Sequence, residues 1–201
     1  MLSGKIYRNS PIDFLIQKAL ERKEVIQSKS GALVAYTGKY TGRSPNDKYI
    51  VDSPSVHDKI NWGKVNVPIS KENYDKLYKK ISSFFDSERE LFVVDAQVGA
   101  DKKNFINLRV YCQYAYQAIF ATHLFRRLPV RTIHELSLPF TPDLTLYCVP
   151  SVTADPKTDG TNSEAFVILN IEEKTIIIGA TKYAGEIKKA VFSYMNYLLP
   201  Q

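Results

Sequence analysis

The sequence AYTGKYTGRSPNDKYIV, residues 35–51, places two Thr-Gly pairs, an arginine and a proline between two short apolar runs. The flanking segments GALVAYTG and KYIVDS are short apolar runs of β type, which predicts a strand on each side. Glycine, proline, asparagine and aspartate between the runs favour a loop. The stretch is therefore interpreted as a loop that joins two strands and holds Arg43 between a glycine and a proline.

Amphipathic helices are predicted on both sides of this loop. In SPIDFLIQKALERKEV, Ser10 is the expected N-cap and Pro11 the first helical residue. In SKENYDKLYKKISSFF, Ser70 is the expected N-cap. QYAYQAIFATHLFRR has apolar residues at helical spacing, and a last helix is predicted to begin near Ala184.

Several further segments have the pattern of strands. ELFVVDAQVGA and FINLRVYC are predicted to pair across a polar turn, DLTLYCVPS is a third strand, and AFVILNIEEKTIIIGATKY contains two strands that reverse at residues 172–174. No internal repeat or long linker interrupts this order. We expect a single α/β domain over residues 1–201, with a central mixed β-sheet flanked by helices. The order of the strands stays open.

The composition indicates a folded protein of the cytoplasm. Hydrophobic residues make up 44% and charged residues 24%, which disfavours disorder. No apolar run reaches the roughly 18 residues of a membrane span, and the segment MLSGKIYRNS lacks the apolar core of a secretory signal. Cys112 and Cys148 lie far apart in apolar contexts and are expected to be reduced core cysteines.

The net charge of +6 would suit an anionic partner. The lysines are dispersed, and no zinc-finger, RNP or KH pattern occurs, so nucleic acid is not the expected partner. A small anionic metabolite is the alternative partner that the charge leaves open.

The loop imitates a nucleotide-binding motif without meeting its requirements. Gly38, Gly42, Arg43 and Ser44 resemble a Walker A loop that has arginine in the lysine position. Only three residues separate the glycines instead of four, and Pro45 removes a backbone donor. On sequence, the chain has no recognisable ATP loop.

Metal and nucleophile patterns are also missing from the sequence. His57, His123 and His134 do not stand four residues from one another, and no H-E-x-x-H or G-x-S-x-G occurs. Structural or solvated roles are expected for all three histidines, and hydrolase chemistry is not supported.

Arg43 is the first candidate binding residue, because a guanidinium can hold a carboxylate through two parallel bonds. Neighbouring glycines let a small anion approach the backbone. Taken alone, an exposed arginine in an ordinary turn fits the pattern equally well. In the last helix, Lys189 lies about 200° from the apolar Ile187, so that a solvated lysine is the plain interpretation.

Residues 37–48 nevertheless follow the pattern Thr-Gly-x-aromatic-Thr-Gly-Arg-Ser-Pro-x-Asp-Lys, which resembles the ATP-dependent phosphoenolpyruvate carboxykinases. Asn46 stands where lysine is common. LFVVDAQVGAD, NSEAFVILN and YAGEIKKAVFSYMNYLLP resemble family segments in the family's order, with Ala190 where serine or glycine is more usual. The similarity runs over the whole chain but covers only the N-terminal, substrate-side domain of such an enzyme.

The resemblance implies a lyase of gluconeogenesis. Oxaloacetate loses CO₂, and the enolate oxygen takes the γ-phosphate of ATP to give phosphoenolpyruvate and ADP. Arg43, Tyr183 and Lys189 are implied as the catalytic and substrate-binding residues, with Arg43 on the substrate carboxylate, Tyr183 against the substrate and Lys189 as a manganese ligand. Mn²⁺, Mg²⁺ and ATP are implied for the full-length enzyme, whose phosphate-binding loop and remaining metal ligands are expected beyond Gln201.

Two functions of different classes stay open. The chain is either the substrate-side domain of a carboxykinase, without its C-terminal nucleotide-binding domain, or a stand-alone carboxylate-binding module without catalysis. Both keep Arg43 and Tyr183. In either case the expected ligand is oxaloacetate or phosphoenolpyruvate, the isolated chain is expected to be inactive and to bind no cofactor tightly, and neither nucleic acid nor membrane is expected as a partner.

Overall fold

The structure is a computed structural model that describes residues 5–87, 90–101, 103–128 and 140–199. The helices are α1 (Ile12–Glu21), α2 (Lys71–Ser87), α3 (Ala115–Leu124) and α4 (Gly185–Leu198). The strands are β1 (Lys5–Arg8), β2 (Val25–Gln27), β3 (Leu33–Ala35), β4 (Lys48–Val51), β5 (Val67–Ile69), β6 (Glu90–Val98), β7 (Ile106–Cys112), β8 (Arg126–Arg127), β9 (Leu144–Val149), β10 (Phe166–Asn170) and β11 (Thr175–Gly179).

Within these residues, nine strands form one mixed sheet in the order β1-β6-β7-β9-β11-β10-β4-β5, and β8 pairs with β6 outside this path. The pairs β6–β7, β10–β11 and β6–β8 are antiparallel, and the other neighbours are parallel. The prediction of a central mixed sheet is confirmed, as are the two predicted antiparallel pairs. Strands β2 and β3 form a separate two-stranded ribbon.

Helices cover both faces of the sheet. Alternate residues of a strand point to opposite faces, and β4 shows this directly: Ile50 packs with α1, α3 and α4, whereas Tyr49 and Val51 pack with α2. The α2 side chains that fill the second core are Tyr74, Leu77, Ile81 and Phe85. The protein is therefore a single α/β domain of three layers, with α4 on the same face as α1 and α3.

The two predicted N-caps differ in outcome. Ser70 is confirmed, because its hydroxyl accepts the backbone N–H of Asn73 at 3.2 Å. The prediction of Ser10 as the N-cap of α1 is wrong by one residue. Pro11 occupies the N-cap position, and α1 has no side-chain cap. Pro11 has an extended ψ of 147°, so helical geometry begins only at Ile12, and the Pro11 carbonyl accepts the first backbone hydrogen bond.

Cys112 and Cys148 are free thiols in the core, as predicted. They face each other in register on the parallel strands β7 and β9, and burial raises the pKa of both thiols. Within the described ranges, no helix has both the length and the apolarity needed to cross a membrane.

A cationic cavity between the Arg43 loop and helix α4

The Arg43 loop, residues 36–47, connects the β2–β3 ribbon to the central sheet and is anchored to the segment that precedes β10. Lys39 forms an ion pair with Glu164 at 2.8 Å. The hydroxyl of Ser163 donates to Oδ1 of Asp47 at 2.9 Å, and Asp47 is buried. Burial raises the pKa of Asp47, and the hydrogen bond from Ser163 opposes that rise. The loop that the sequence predicts is therefore a fixed structure.

The backbone of the Arg43 loop depends on one of its two Thr-Gly glycines. Gly38 has a φ of +68°, in the left-handed region that favours glycine, whereas the φ of Gly42 lies outside that region. After Arg43, the loop closes with a short 3-10 turn at Pro45–Asp47 and enters β4 directly. Arg43 itself is exposed just ahead of this turn.

The first turn of α4 holds the loop from the other side. The backbone N–H of Ser44 donates to Oε1 of Glu186 at 2.6 Å, and Glu186 is only 5% exposed. Burial raises the pKa of Glu186, while the N–H of Ser44 and the charge of Arg43 act against that rise. The last helix therefore lies next to the loop, and Arg43 is placed beside the start of α4.

A cavity of about 680 Å³ lies between the loop, residues 59–66 and α4. Its apolar lining comes from the sheet, including Ile50, Val167 and Leu169. Its charged lining consists of five basic side chains and one acidic side chain: Arg43, Lys48, Lys59, Lys64, Lys189 and Glu186. Since the carboxylate of Glu186 accepts from Ser44, the field in the cavity favours an anion.

The structure therefore brings together Arg43 and Lys189, two of the three predicted site residues, although 146 positions separate them. Lys189 is half-buried on the α4 face away from Ile187, and its ammonium lies 4.7 Å from the centre of the Phe192 ring. This is a cation–π contact.

Tyr183, the third predicted residue, is not among the described residues that line the cavity. Its carbonyl accepts the N–H of Glu186 at 3.2 Å, so Tyr183 directly precedes the turn that holds the loop. Its ring covers Gly185, where an added Cβ would lie 2.4 Å from a ring carbon. Whether Tyr183 shares a ligand with Arg43 stays a prediction.

Residues 59–66 were not singled out in the sequence, yet they form one wall of the cavity. Lys48 donates to Oδ1 of Asn66 at 3.0 Å. Burial lowers the pKa of Lys48, and the nearby charge of Lys189 lowers it further. Lysines in a polar segment are ordinarily solvated, so nothing local in the sequence distinguishes Lys59 or Lys64. Only the fold brings them to the cavity.

The residues that the structure describes do not form a metal site on their own. They contain no group of three or more His, Cys, Asp or Glu side chains placed to hold an ion. In the cavity, Lys189 has another lysine nearby, and Glu186 is already bonded to the loop.

The two described histidines do not line the cavity. His57 pairs with Asp52 at 2.7 Å, His123 is exposed on α3, and His134 lies outside the described residues.

Comparison with known proteins agrees with the motif at residues 37–48. A family model described as phosphoenolpyruvate carboxykinase matches residues 4–201. The chain is 46% identical over 200 residues to phosphoenolpyruvate carboxykinase (ATP) 2 of Moorella thermoacetica, which covers 98% of this chain and 37% of the relative. It is 47% identical over 196 residues to phosphoenolpyruvate carboxykinase (ATP) of Caldanaerobacter subterraneus subsp. tengcongensis, with 98% and 36% covered. The chain thus spans little more than a third of the length of these relatives.

Proposed function

Since this chain belongs to the phosphoenolpyruvate carboxykinase family, we propose that it is the substrate-side domain of an ATP-dependent phosphoenolpyruvate carboxykinase. Its part in the reaction is to bind the carboxylates of oxaloacetate or phosphoenolpyruvate, with Arg43 as the main contact. A nucleotide-binding domain supplies the phosphoryl donor. This proposal is supported by the family to which the chain belongs and by the positive charge of the cavity lining.

One observation carries the proposal: Arg43 projects from a loop that is fixed at two points, beside a cavity with four further cations. A guanidinium offers two parallel donors to a carboxylate, and the fixed loop backbone reduces the freedom that is lost on binding. The surrounding lysines raise the local concentration of a dianion. The geometry therefore suits a small, doubly charged carboxylic acid better than a neutral ligand.

The proposed roles are those that the family pattern assigns, and the positions of Arg43 and Lys189 beside the cavity are compatible with them. Arg43 orients the substrate through one carboxylate, so that the bond to the departing CO₂ is held in a fixed direction. Tyr183 lies against the substrate from the start of α4. Lys189 lies on the cavity side of the same helix, and in this chain its positive charge attracts the anionic substrate.

ATP and divalent metal ions belong to the complete enzymes of this family. A metal ion there stabilises charge on the enolate and on the transferred phosphoryl group. Lys189 is the one residue of this chain that the family pattern assigns to a metal, and it binds a metal only as a neutral amine. The donor set of the described residues does not complete such a site, so no step of this chain's action is assigned to a metal.

The chain alone is therefore proposed to bind substrate weakly and not to turn it over. One wall of a cleft leaves its ligand open to solvent, which screens the attraction of Arg43. The test is a coupled assay of phosphoenolpyruvate formation from oxaloacetate with ATP, Mn²⁺ and Mg²⁺. It is run on the chain alone and on the chain mixed with a separately produced nucleotide-binding domain of a relative.

Activity that arises only in the mixture would support the proposal. Turnover by the chain alone would overturn the proposed inactivity. Carboxylate binding by the chain with no activity in any mixture would favour a stand-alone binding module instead.

A further inference from the structure

Lys48 is a half-buried cation that has no acidic partner in the described part of the chain. Its ammonium donates to the neutral amide oxygen of Asn66 at 3.0 Å. The charge that acts on it is that of another cation, Lys189. A charge removed from water is unfavourable unless an opposite charge or several hydrogen bonds compensate it. Lys48 therefore lies in the cavity with its positive charge uncompensated.

The direction of the Lys48 side chain follows from the sheet. Lys48 and Ile50 are two residues apart on β4 and so point to the same face. Ile50 packs in the core beneath α4, and both residues line the cavity. The backbone of β4 is held in register by β10, where Val167 is the partner of Lys48. The ammonium is thus aimed at the cavity by a strand.

Asn66 is fixed so that its oxygen faces Lys48. Its amide nitrogen donates to the carbonyl of Asn61 at 2.9 Å, which leaves the amide oxygen for the lysine. The same segment is anchored at Trp62, whose ring N–H donates to the carbonyl of His57 at 2.8 Å. Lys48 is therefore positioned before any ligand arrives, which lowers the entropy lost on binding.

We propose that Lys48, held by Asn66, binds the second carboxylate of a dicarboxylic acid whose first carboxylate is bound by Arg43. This inference rests on the proposed function and adds the residue that makes the site selective for a dianion. Arg43 and Lys48 line the same cavity and differ in chemistry. The guanidinium fixes orientation, and the ammonium supplies the point charge that an additional carboxylate requires.

The test compares oxaloacetate with pyruvate, which is the same molecule without one carboxylate. Isothermal titration with each ligand is carried out on the 201-residue chain and on Lys48→Met, Asn66→Ala and Arg43→Lys. Lys79→Met is the matched control, because Lys79 is an exposed residue of α2 on the opposite face of the sheet. It removes one positive charge without touching the cavity.

We expect Lys48→Met to weaken oxaloacetate binding roughly ten- to one-hundredfold, the range of hydrogen bonds to charged groups. Pyruvate affinity should change less than about twofold, since pyruvate has no second carboxylate to lose the contact. Asn66→Ala should weaken oxaloacetate binding about threefold through the lost hydrogen bond. Lys79→Met should bind both ligands as the unchanged chain does. Removal of an uncompensated charge should also leave the melting temperature of Lys48→Met no lower than that of the unchanged chain.

The failures of the two proposals are distinguishable. If Arg43→Lys weakens binding but Lys48→Met binds oxaloacetate normally, the inference on Lys48 is overturned and the proposed function stands. Equal losses for oxaloacetate and pyruvate in Lys48→Met would overturn selectivity for the second carboxylate. An unchanged chain that binds neither ligand would overturn the proposed function together with this inference.

Discussion

The backbone N–H of Ser44 and the carboxylate of Glu186 are 2.6 Å apart, although the two residues are separated by 142 positions in the chain. This bond joins the Arg43 loop to the first turn of α4. It is short because the acceptor is a carboxylate that is shielded from water. The position of Arg43 relative to Lys189 therefore depends on Glu186, which is an acidic residue and not one of the cations of the cavity.

We predict that Glu186→Ala destabilises the protein by about 1–3 kcal/mol, because the half-buried N–H of Ser44 loses its acceptor. Glu186→Gln keeps an amide oxygen in the same place and removes a buried charge, so its loss should be below about 1 kcal/mol. Urea denaturation of both variants measures the difference. Equal losses in the two variants would show that the charge of Glu186, and not its acceptor oxygen, holds the loop.

We predict that Arg43→Lys weakens oxaloacetate binding at least about tenfold although the charge is kept, because lysine offers one donor direction in place of a planar fork. Titration calorimetry measures the effect. Arg127→Lys is the control, since Arg127 is an exposed residue of β8 outside the cavity. An affinity in Arg43→Lys equal to that of the control would exclude two-pronged binding.

The two Thr-Gly glycines should respond differently to alanine. Gly38→Ala places a Cβ on a backbone with a φ of +68°, and we expect a loss of about 1–2 kcal/mol. At Gly42, a Cβ meets no atom within 4 Å and the φ is not in the left-handed region, so alanine should be neutral or stabilising by up to about 1 kcal/mol. Thermal unfolding of the two variants provides the comparison. The same shift in melting temperature for Gly38→Ala and Gly42→Ala would contradict the loop geometry described above.

His57 should make stability depend on pH. The hydrogen bond and charge of Asp52 raise the pKa of His57 above its usual 6.5. A raised pKa means that the folded state holds the proton more tightly. The stabilisation is therefore complete below the unfolded pKa and is lost as the pH rises through the folded pKa.

Asp52→Asn should remove this contribution. We expect the unchanged chain to be more stable than the variant at about pH 5.5, where the histidine is charged, and the gap to close near pH 9. Denaturation curves at the two pH values measure it, and the NMR titration of His57 gives the pKa directly. A gap that is the same at both pH values would assign the effect of Asp52 to something other than the charged histidine.

Local pattern was sufficient to predict most elements of the fold. Two apolar runs on either side of residues 172–174 predict the antiparallel pair β10–β11. The helical spacing of apolar residues and the Ser70 N-cap predict α2. The strands β1 and β5 are not predicted, because neither lies in an apolar run of β type and each is stabilised by its partner in the sheet. The N-cap of α1 is predicted one residue too early, because both Ser10 and Pro11 are residues typical of a helix start.

The residues of the candidate site could be predicted from the sequence only in part, for a different reason. Arg43 and Lys189 came from a family motif, and the sequence offered no physical reason for bringing them together. Lys59, Lys64 and Asn66 belong to a polar segment whose pattern is that of an ordinary surface loop. Their place in the cavity depends on β4 and β10 being neighbours, a long-range pairing that periodicity cannot supply.

That pairing also determines when the cavity can exist during synthesis. Lys48 in β4 takes its register from Val167 in β10, more than one hundred residues later. On a ribosome that adds about 5–20 residues per second, the early half of the chain must wait several seconds for its neighbouring strand. Until then β4 has an unpaired edge on one side, and unpaired edges favour association with other chains. The Arg43 loop is thus encoded early but takes its working shape among the last parts of the domain, and a slow or interrupted translation leaves this edge of β4 exposed for longer.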